Sequence, residues 1–301
     1  MATADHGEMA DQGSTAAVPT PEEVGAMYDT FGEMLELTQG SAALHIGMFV
    51  PPGTRDPAST LIDLTDLAQD RQTDHLIDTL GLRPEAHLLD IGCGTGGPAL
   101  RLAERVGCRV TGITVSKTQL DRCRLRAREA GLDARVEFAY GNAMELAHPD
   151  GTFDAAWSID CMPHLSDRAA ALREAYRVLR PGGHLVLTEL TVQGTPEPAG
   201  LAAYRQLWTS RDPGTFASLA EDIGNAGLTV VRVEDMTANV RISGELMYVL
   251  YQDKHEEIEA RYGQEVTRQT DRIMAPFRAF CQDQLEYHVL LLRKPGSTGR
   301  A

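Results

Sequence analysis

Short apolar runs alternate with amphipathic segments through most of this chain. A helix is predicted over 61–80, where Leu61, Leu64 and Ala68 share one face, Leu76, Ile77 and Leu80 continue it, and Gly81 supplies the stop. Apolar strands follow over 87–91, 109–114, 136–140, 153–159 and 183–190. Between them lie helical patterns through Ala99, Leu102, Ala103 and Val106, through Leu120, Cys123 and Ala127, and through Leu172, Ala175, Tyr176 and Leu179. This β-α-β order with short connections predicts an α/β fold, a parallel sheet with right-handed crossovers and helices on both faces. A ligand is then expected at the C-terminal ends of the central strands.

The rhythm breaks at both ends of this region. Residues 1–20 lack apolar periodicity and are expected to form a mobile tail, with a second short tail over 296–301. Residues 21–60 mix helix-like stretches with the apolar patch from Leu44 to Val50 and stop at Pro51-Pro52-Gly53, which suggests an N-terminal cap on a main domain over 61–295. After Thr191, Pro196, Pro198 and Pro213 punctuate helical pieces carrying Tyr204, Leu207 and Trp208, so a substrate-side insertion is expected over about 192–215. A helix over 216–226, a strand over 228–233, a long polar helix around 245–284 and a last strand over 287–292 complete the reading.

Composition narrows the function. The 301 residues are 43% hydrophobic and 24% charged, ordinary values for a packed globular chain of one large or two compact domains. Lys and Arg number 28 against 43 Asp and Glu, a net charge of -15, which repels nucleic-acid backbones and anionic lipid surfaces. No apolar run of about 18 residues could span a bilayer and no leader pattern opens the chain, so a cytoplasmic enzyme is expected, with a homo-oligomer left open. The five cysteines are widely spaced without a Cys-x-x-Cys pair, which argues for reduced thiols and against a zinc site. No metal is expected.

The candidate chemistry begins at Leu88-Leu89-Asp90-Ile91-Gly92-Cys93-Gly94-Thr95-Gly96-Gly97. There an apolar strand ends in a glycine-rich turn that opens a helix, letting bare backbone and helix amides approach a ligand. Gly92, Gly94 and Gly97 also satisfy the G-x-G-x-x-G spacing of dinucleotide enzymes, but an NAD site wants an acid about 20 positions on, where this chain has Thr114. The wider pattern adds Gly112-Ile113-Thr114-Val115-Ser116 with Gln119, then Gly141-Asn142-Ala143, then Leu179-Arg180-Pro181-Gly182-Gly183. Together these motifs resemble the class I S-adenosylmethionine-dependent methyltransferases over roughly 61–295.

The resemblance is closest to bacterial secondary-metabolite methyltransferases of the rebeccamycin sugar O-methyltransferase and mitomycin type. The threonine-bearing second strand also resembles cyclopropane fatty acid synthases. It implies a Rossmann-like sheet, a cap, an insertion after the fifth strand, and S-adenosyl-L-methionine as cofactor. The loop Gly92, Gly94 and Gly96 with Asp90 would then lie against the methionyl part, Thr114 and Gln119 against the ribose, and Asn142 with the Ala143 amide against the adenine, with Ser158 completing the set. Many relatives carry an acid where Thr114 stands and Asp where Asn142 stands. Ser116 and Gln119 also read as a capping box for the helix that begins there.

Methyl transfer from a sulfonium is an in-line displacement by an already activated reagent, so one base suffices when the acceptor is an alcohol or amine. The candidates are Asp160 and His164 in Asp160-Cys161-Met162-Pro163-His164, and Glu189 in Thr188-Glu189-Leu190. His164 matches the second of two family histidines, while Pro163 replaces the first. The bland alternatives are a surface or capping histidine and a solvated turn carboxylate. His45 and Phe49 resemble a family stretch that folds over the cofactor, with a packing role the alternative for Phe49.

Three functions remain open at this point. The first is O-methylation of a sugar or natural-product hydroxyl in antibiotic biosynthesis. The second is C-methylation of an isoprenoid or other alkene through a carbocation, held by Asp160, Glu189 and aromatic faces and with cyclisation a further step. The third is a sensor that binds the cofactor without catalysis.

Overall fold

A computed structural model describes residues 18–39, 43–49 and 60–296. Residues 1–17 and 297–301 of the expected tails, and the Pro51-Pro52-Gly53 break, lie outside the described residues. Helix α1 (Pro21–Gln39) precedes α2 (Leu61–Leu80), which opens with a capping box between Thr60 and Asp63 and ends at Gly81 in the left-handed region. The alternating core follows as β1 (His87–Ile91), α3 (Gly97–Val106), β2 (Arg109–Thr114), α4 (Lys117–Glu129), β3 (Val136–Tyr140) and β4 (Phe153–Ser158). A 3-10 turn (Met162–His164) leads to α5 (Arg168–Val178) and β5 (Leu179–Val192). The C-terminal part comprises α6 (Pro198–Trp208), α7 (Phe216–Asn225), β6 (Thr229–Asp235), α8 (Thr237–Asp253), α9 (His255–Tyr262), α10 (Gln264–Asp283) and β7 (Leu285–Arg293).

The seven strands form one sheet in the order β3-β2-β1-β4-β5-β7-β6. Successive side chains on a strand point to opposite faces, and the core divides accordingly. Leu88, Val110, Trp157 and Val186 pack on one face with Leu76 of α2, Leu102 of α3 and Cys123 of α4. Leu89, Ile91, Ala156 and Leu187 pack on the other with Leu172 of α5 and Leu219 of α7. Strand order reverses between β1 and β4, which opens a crevice beyond their C-terminal ends.

Three expectations need correction. The sheet is mixed, because β7 runs antiparallel between β5 and β6. A strand buried on both faces shows the same apolar run in either direction, so the pattern at 287–292 carried no sign of its polarity. The long polar helix is three helices, broken at Lys254 and at Gly263, whose φ of 87° with ψ of 159° does not continue a helix. The expected strand over 183–190 also extends at both ends, to Leu179 and Val192, so Glu189 sits within it and pairs with His288. Over 192–215, α6 packs against α10 and then leads back towards the sheet through Thr209, Ser210 and Arg211.

Candidate active site

A cavity continuous with solvent opens at the crevice. Its lining includes Asp90 of β1 with Gly92 and Gly94 just after it, Thr114 at the end of β2 with Gln119 of α4, and Asn142 with Ala143 after β3. Tyr28 of α1 and Leu44 with His45 line it from above, and Asp160, Cys161 and His164 close its far end. Nine of the twelve residues assigned from sequence to the cofactor or to catalysis thus share one chamber.

Gly92 and Gly94 both have positive φ, and Gly92 is also required by a close approach. A Cβ on Gly92 would stand 2.4 Å from the Cys161 Sγ, and its φ is 78°. Gly94 has φ 52° with no atom within 4 Å of a built Cβ, so its position leaves open space beside the loop. Gly96 does not line the cavity. It caps α3 at φ 85°, and a Cβ there would meet Phe138 Cζ at 2.9 Å, so this glycine serves helix packing. Ser158, also absent from the lining, is fully buried at the end of β4.

Asp90 is 2% exposed, and its Oδ2 has no hydrogen-bond partner among the described residues. Burial pushes its carboxyl up to about 7. Thr114 donates to Gln119 Oε1 at 2.9 Å and accepts the Ser116 amide at 3.2 Å. The capping box is therefore half made: Ser116 Oγ accepts from the Gln119 amide at 3.0 Å, while the Gln119 side chain turns to Thr114. Asn142 Oδ1 accepts the Met144 amide at 3.0 Å.

The roof is held by contacts that sequence alone did not reveal. A Cβ on Gly25 would lie 2.4 Å from the Val115 carbonyl oxygen, so glycine lets α1 rest on the β2–α4 connection. Asp29 accepts from the Ser116 hydroxyl and, at 3.1 Å, from the Thr118 amide. Although partial burial opposes its ionisation, these bonds hold the Asp29 carboxyl below its usual range. Asp160, at φ 50°, accepts from the Ile46 amide at 2.8 Å, the Thr188 hydroxyl at 2.5 Å and the Tyr287 hydroxyl at 2.8 Å. This carboxylate ties the roof segment to β5 and β7, which occupies it with positioning.

His164 is 8% exposed and stands in the 3-10 turn. Its Nδ1 lies 3.4 Å from the Thr209 carbonyl oxygen, so with Nδ1 protonated its Nε2 accepts from the Tyr28 hydroxyl at 3.0 Å. Burial lowers the pKa of this imidazole, keeping it neutral near pH 7, and burial raises that of the Tyr28 phenol. Tyr28 carried only a weak signal in sequence, an aromatic in the cap, since its partner is 136 positions away. Glu189 lies outside the cavity lining. It is 1% exposed, and its Oε2 faces Arg168 Nη1 at 3.8 Å and Arg211 Nη2 at 3.9 Å, so it is no solvated turn carboxylate. Burial brings its carboxyl up to about 7.

Residues 89–187 match the family described as "Methyltransferase domain". The 27-O-demethylrifamycin SV methyltransferase of Amycolatopsis mediterranei is 37% identical over 287 residues, 92% of this chain and 98% of the relative. The chain belongs to the S-adenosylmethionine-dependent methyltransferases. Methyltransferase GfsG of Streptomyces halstedii is 34% identical, over 74% of this chain and 78% of its own. The crystal structure of the [4+2]-cyclase SpnF superposes with a TM-score of 0.80 at 31% identity, covering 94% of this chain and 99% of that one. The methyltransferase therefore uses S-adenosylmethionine and acts on a small molecule. Asp90, a buried carboxylate with one oxygen left without a partner among the described residues, is among the residues that line the cavity. Among the described residues no group of three or more His, Cys, Asp or Glu is placed to hold a metal, and no helix is long and apolar enough to cross a membrane.

Proposed function

We propose that the methyltransferase methylates a hydroxyl oxygen of a natural product, and that Tyr28 and His164 take up the proton. The supporting observation is a neutral, buried imidazole at the end of the cofactor chamber, paired through Nε2 with a phenol 3.0 Å away. The sulfonium of S-adenosylmethionine supplies an activated methyl group. In the chamber, Asp90 would oppose the ammonium, Gly92 and Gly94 would admit the methionyl backbone, Thr114 with Gln119 would meet the ribose, and Asn142 with the Ala143 amide would meet the adenine. Asn142 retains a second carbonyl lone pair and its amide hydrogens for this.

The protein's remaining tasks are to align the acceptor, exclude water and move one proton. The roof held by Asp29 and Asp160 excludes water. The acceptor hydroxyl gives its proton to the Tyr28 oxygen as that phenol passes its own to His164 Nε2. The imidazolium so formed is favoured by the negative charge of Asp160 and by the Thr209 carbonyl. Both Asp160 oxygens are engaged by other groups, which favours O-methylation over a carbocation route requiring a free carboxylate. The name of the 37% identical relative, which specifies an O-demethylated acceptor, points the same way.

The test is incubation with methyl-labelled cofactor and a panel of hydroxylated natural products that includes 27-O-demethylrifamycin SV. The expected product is heavier by one CH₂ and carries the label on oxygen. Label on carbon would replace this reading with C-methylation. Tight binding of S-adenosylhomocysteine with no transfer to any acceptor would replace it with a sensor.

A further inference from the structure

Two cysteines meet beside the glycine turn. Cys93 stands inside the turn, between Gly92 and Gly94, and lines the cavity. Cys123 belongs to α4, and its thiol donates to the Gly94 carbonyl oxygen at 3.1 Å. The Cys93 sulfur lies 4.0 Å from that same oxygen, and the two thiols are hydrogen-bonded to each other. Both are free thiols, 4% and 0% exposed. Two glycines make room for the pair: a Cβ on Gly112 of β2 would stand 3.0 Å from the Cys93 Cβ, and one on Gly96 would stand 3.1 Å from the Cys123 Sγ.

A buried thiol is ordinarily inert, because an apolar surrounding disfavours the thiolate. This pair differs in two respects. Removing both protons would set two thiolates side by side, so one sulfur ionises while its neighbour keeps a proton and donates to it. Cys123 first, and burial second, accordingly hold the Cys93 thiol well above its ordinary range. The second respect is access: Cys93 is part of the cavity wall, so a molecule as small as hydrogen peroxide reaches it whenever no cofactor covers it.

We infer that Cys93 and Cys123 form a reversible dithiol–disulfide modification site, through which oxidation by hydrogen peroxide weakens cofactor binding. The inference rests on the placement of the cofactor against Gly92 and Gly94 proposed above. In the first step the ionised sulfur attacks one peroxide oxygen and the O–O bond breaks, giving a sulfenic acid and a hydroxide that takes up the displaced proton. In the second, the neighbouring sulfur attacks the sulfenic sulfur, its proton goes to the departing oxygen, and water leaves as the S–S bond forms. Two thiols and one peroxide become one disulfide and two waters, the sulfurs losing two electrons and the peroxide oxygens gaining them. An S–S bond is only about 2.05 Å long, so closure draws the turn and α4 together. It also removes the hydrogen that the Gly94 carbonyl accepts from Cys123. Gly92 and Gly94, at φ 78° and 52°, flank the displaced residue and shift with it. By linkage, bound cofactor opposes the oxidation by the same factor that oxidation takes from its affinity.

The full chain is treated with hydrogen peroxide, its peptides are mapped by mass spectrometry, and its affinity for S-adenosylhomocysteine is read by calorimetry. The expected result is a Cys93–Cys123 link two hydrogens lighter than the reduced peptides, with affinity weakened about tenfold and restored by dithiothreitol. Linking should be slower when S-adenosylhomocysteine is present. Cys123→Ser and Cys123→Ala should bind as the reduced wild type does and keep that affinity through the same treatment. Oxidation that falls on Cys161 or the methionines without a Cys93–Cys123 link overturns the proposal. A link that leaves affinity unchanged overturns it as well, as does a Cys123→Ser variant that loses affinity to peroxide like the wild type. Should Gly94→Val bind S-adenosylhomocysteine normally, the cofactor placement fails by itself, and the mapped link still decides whether the pair closes.

Discussion

Asp90→Asn probes the cofactor chamber through a buried charge. The Asp90 carboxyl is 2% exposed, and burial raises its pKa from 3.8 to about 7. A group bound more tightly to its proton when folded contributes stability below its unfolded pKa and loses it as pH rises through the folded value. Ligand-free wild-type stability should therefore fall across the window from 3.8 to about 7. At ~1.4 kcal/mol per pKa unit, moving from pH ~5 to pH ~8 removes ~3 kcal/mol through Asp90. With an unfolding entropy of ~2 cal/mol/K per residue, that is ~5 °C in Tm for a chain of this length. Glu189 shifts stability in the same direction, whereas the buried neutral His164 and His45 oppose it. The difference between variant and wild type isolates Asp90. Calorimetry with S-adenosylhomocysteine reads the same ionisation: its ammonium favours the charged carboxylate, so wild-type affinity should weaken by up to ~tenfold per pH unit below pH ~7. The asparagine variant should lose the Asp90 share of both pH dependences and bind weakly. If it melts with the wild-type pH dependence and binds as tightly, Asp90 is not the buried anion of this site.

Three further outcomes are expected. Gly94→Val places a side chain in the open space beside the loop at φ 52°, so S-adenosylhomocysteine binding should disappear in calorimetry while far-UV circular dichroism stays native; unchanged affinity would rule out the loop. His164→Ala and Tyr28→Phe should lower kcat by ~10²–10⁴ with unaltered S-adenosylhomocysteine affinity. Because protonated His164 cannot accept, the wild-type rate should be level near pH ~7 and fall with unit slope at lower pH, a limb that His164→Ala lacks. Asp160→Ala releases the Ile46 amide and the Thr188 and Tyr287 hydroxyls, which should cost ~3 kcal/mol in denaturant unfolding. It should also speed S-adenosylhomocysteine release in stopped flow, and an unaltered rate would count against the roof role.

Local patterns were sufficient for the elements and the glycine turn. Apolar period, the Thr60 and Gly81 boundaries, and the run from Leu88 to Gly97 are properties of neighbouring residues, and β1 to β5 with α2 to α5 follow from them. The turn at Gly92 and Gly94 is legible because only glycine meets its backbone and steric demands. Strand polarity was not legible at β7, since a doubly buried strand looks alike in both directions. Gly96 and Ser158 carried the expected residue types but do not line the cavity, Gly96 standing close to Phe138 and Ser158 being fully buried, a placement that spacing does not reveal. Burial and long-range pairing came only from the folded chain. Tyr28 reaches His164 across 136 positions, Tyr287 reaches Asp160 across 127, and Glu189 meets Arg168 and Arg211 in a closed interior. Side-chain chemistry depends on solvation and neighbours in space, so Glu189, a candidate base or a solvated turn carboxylate on paper, is a buried group between two arginines in the fold.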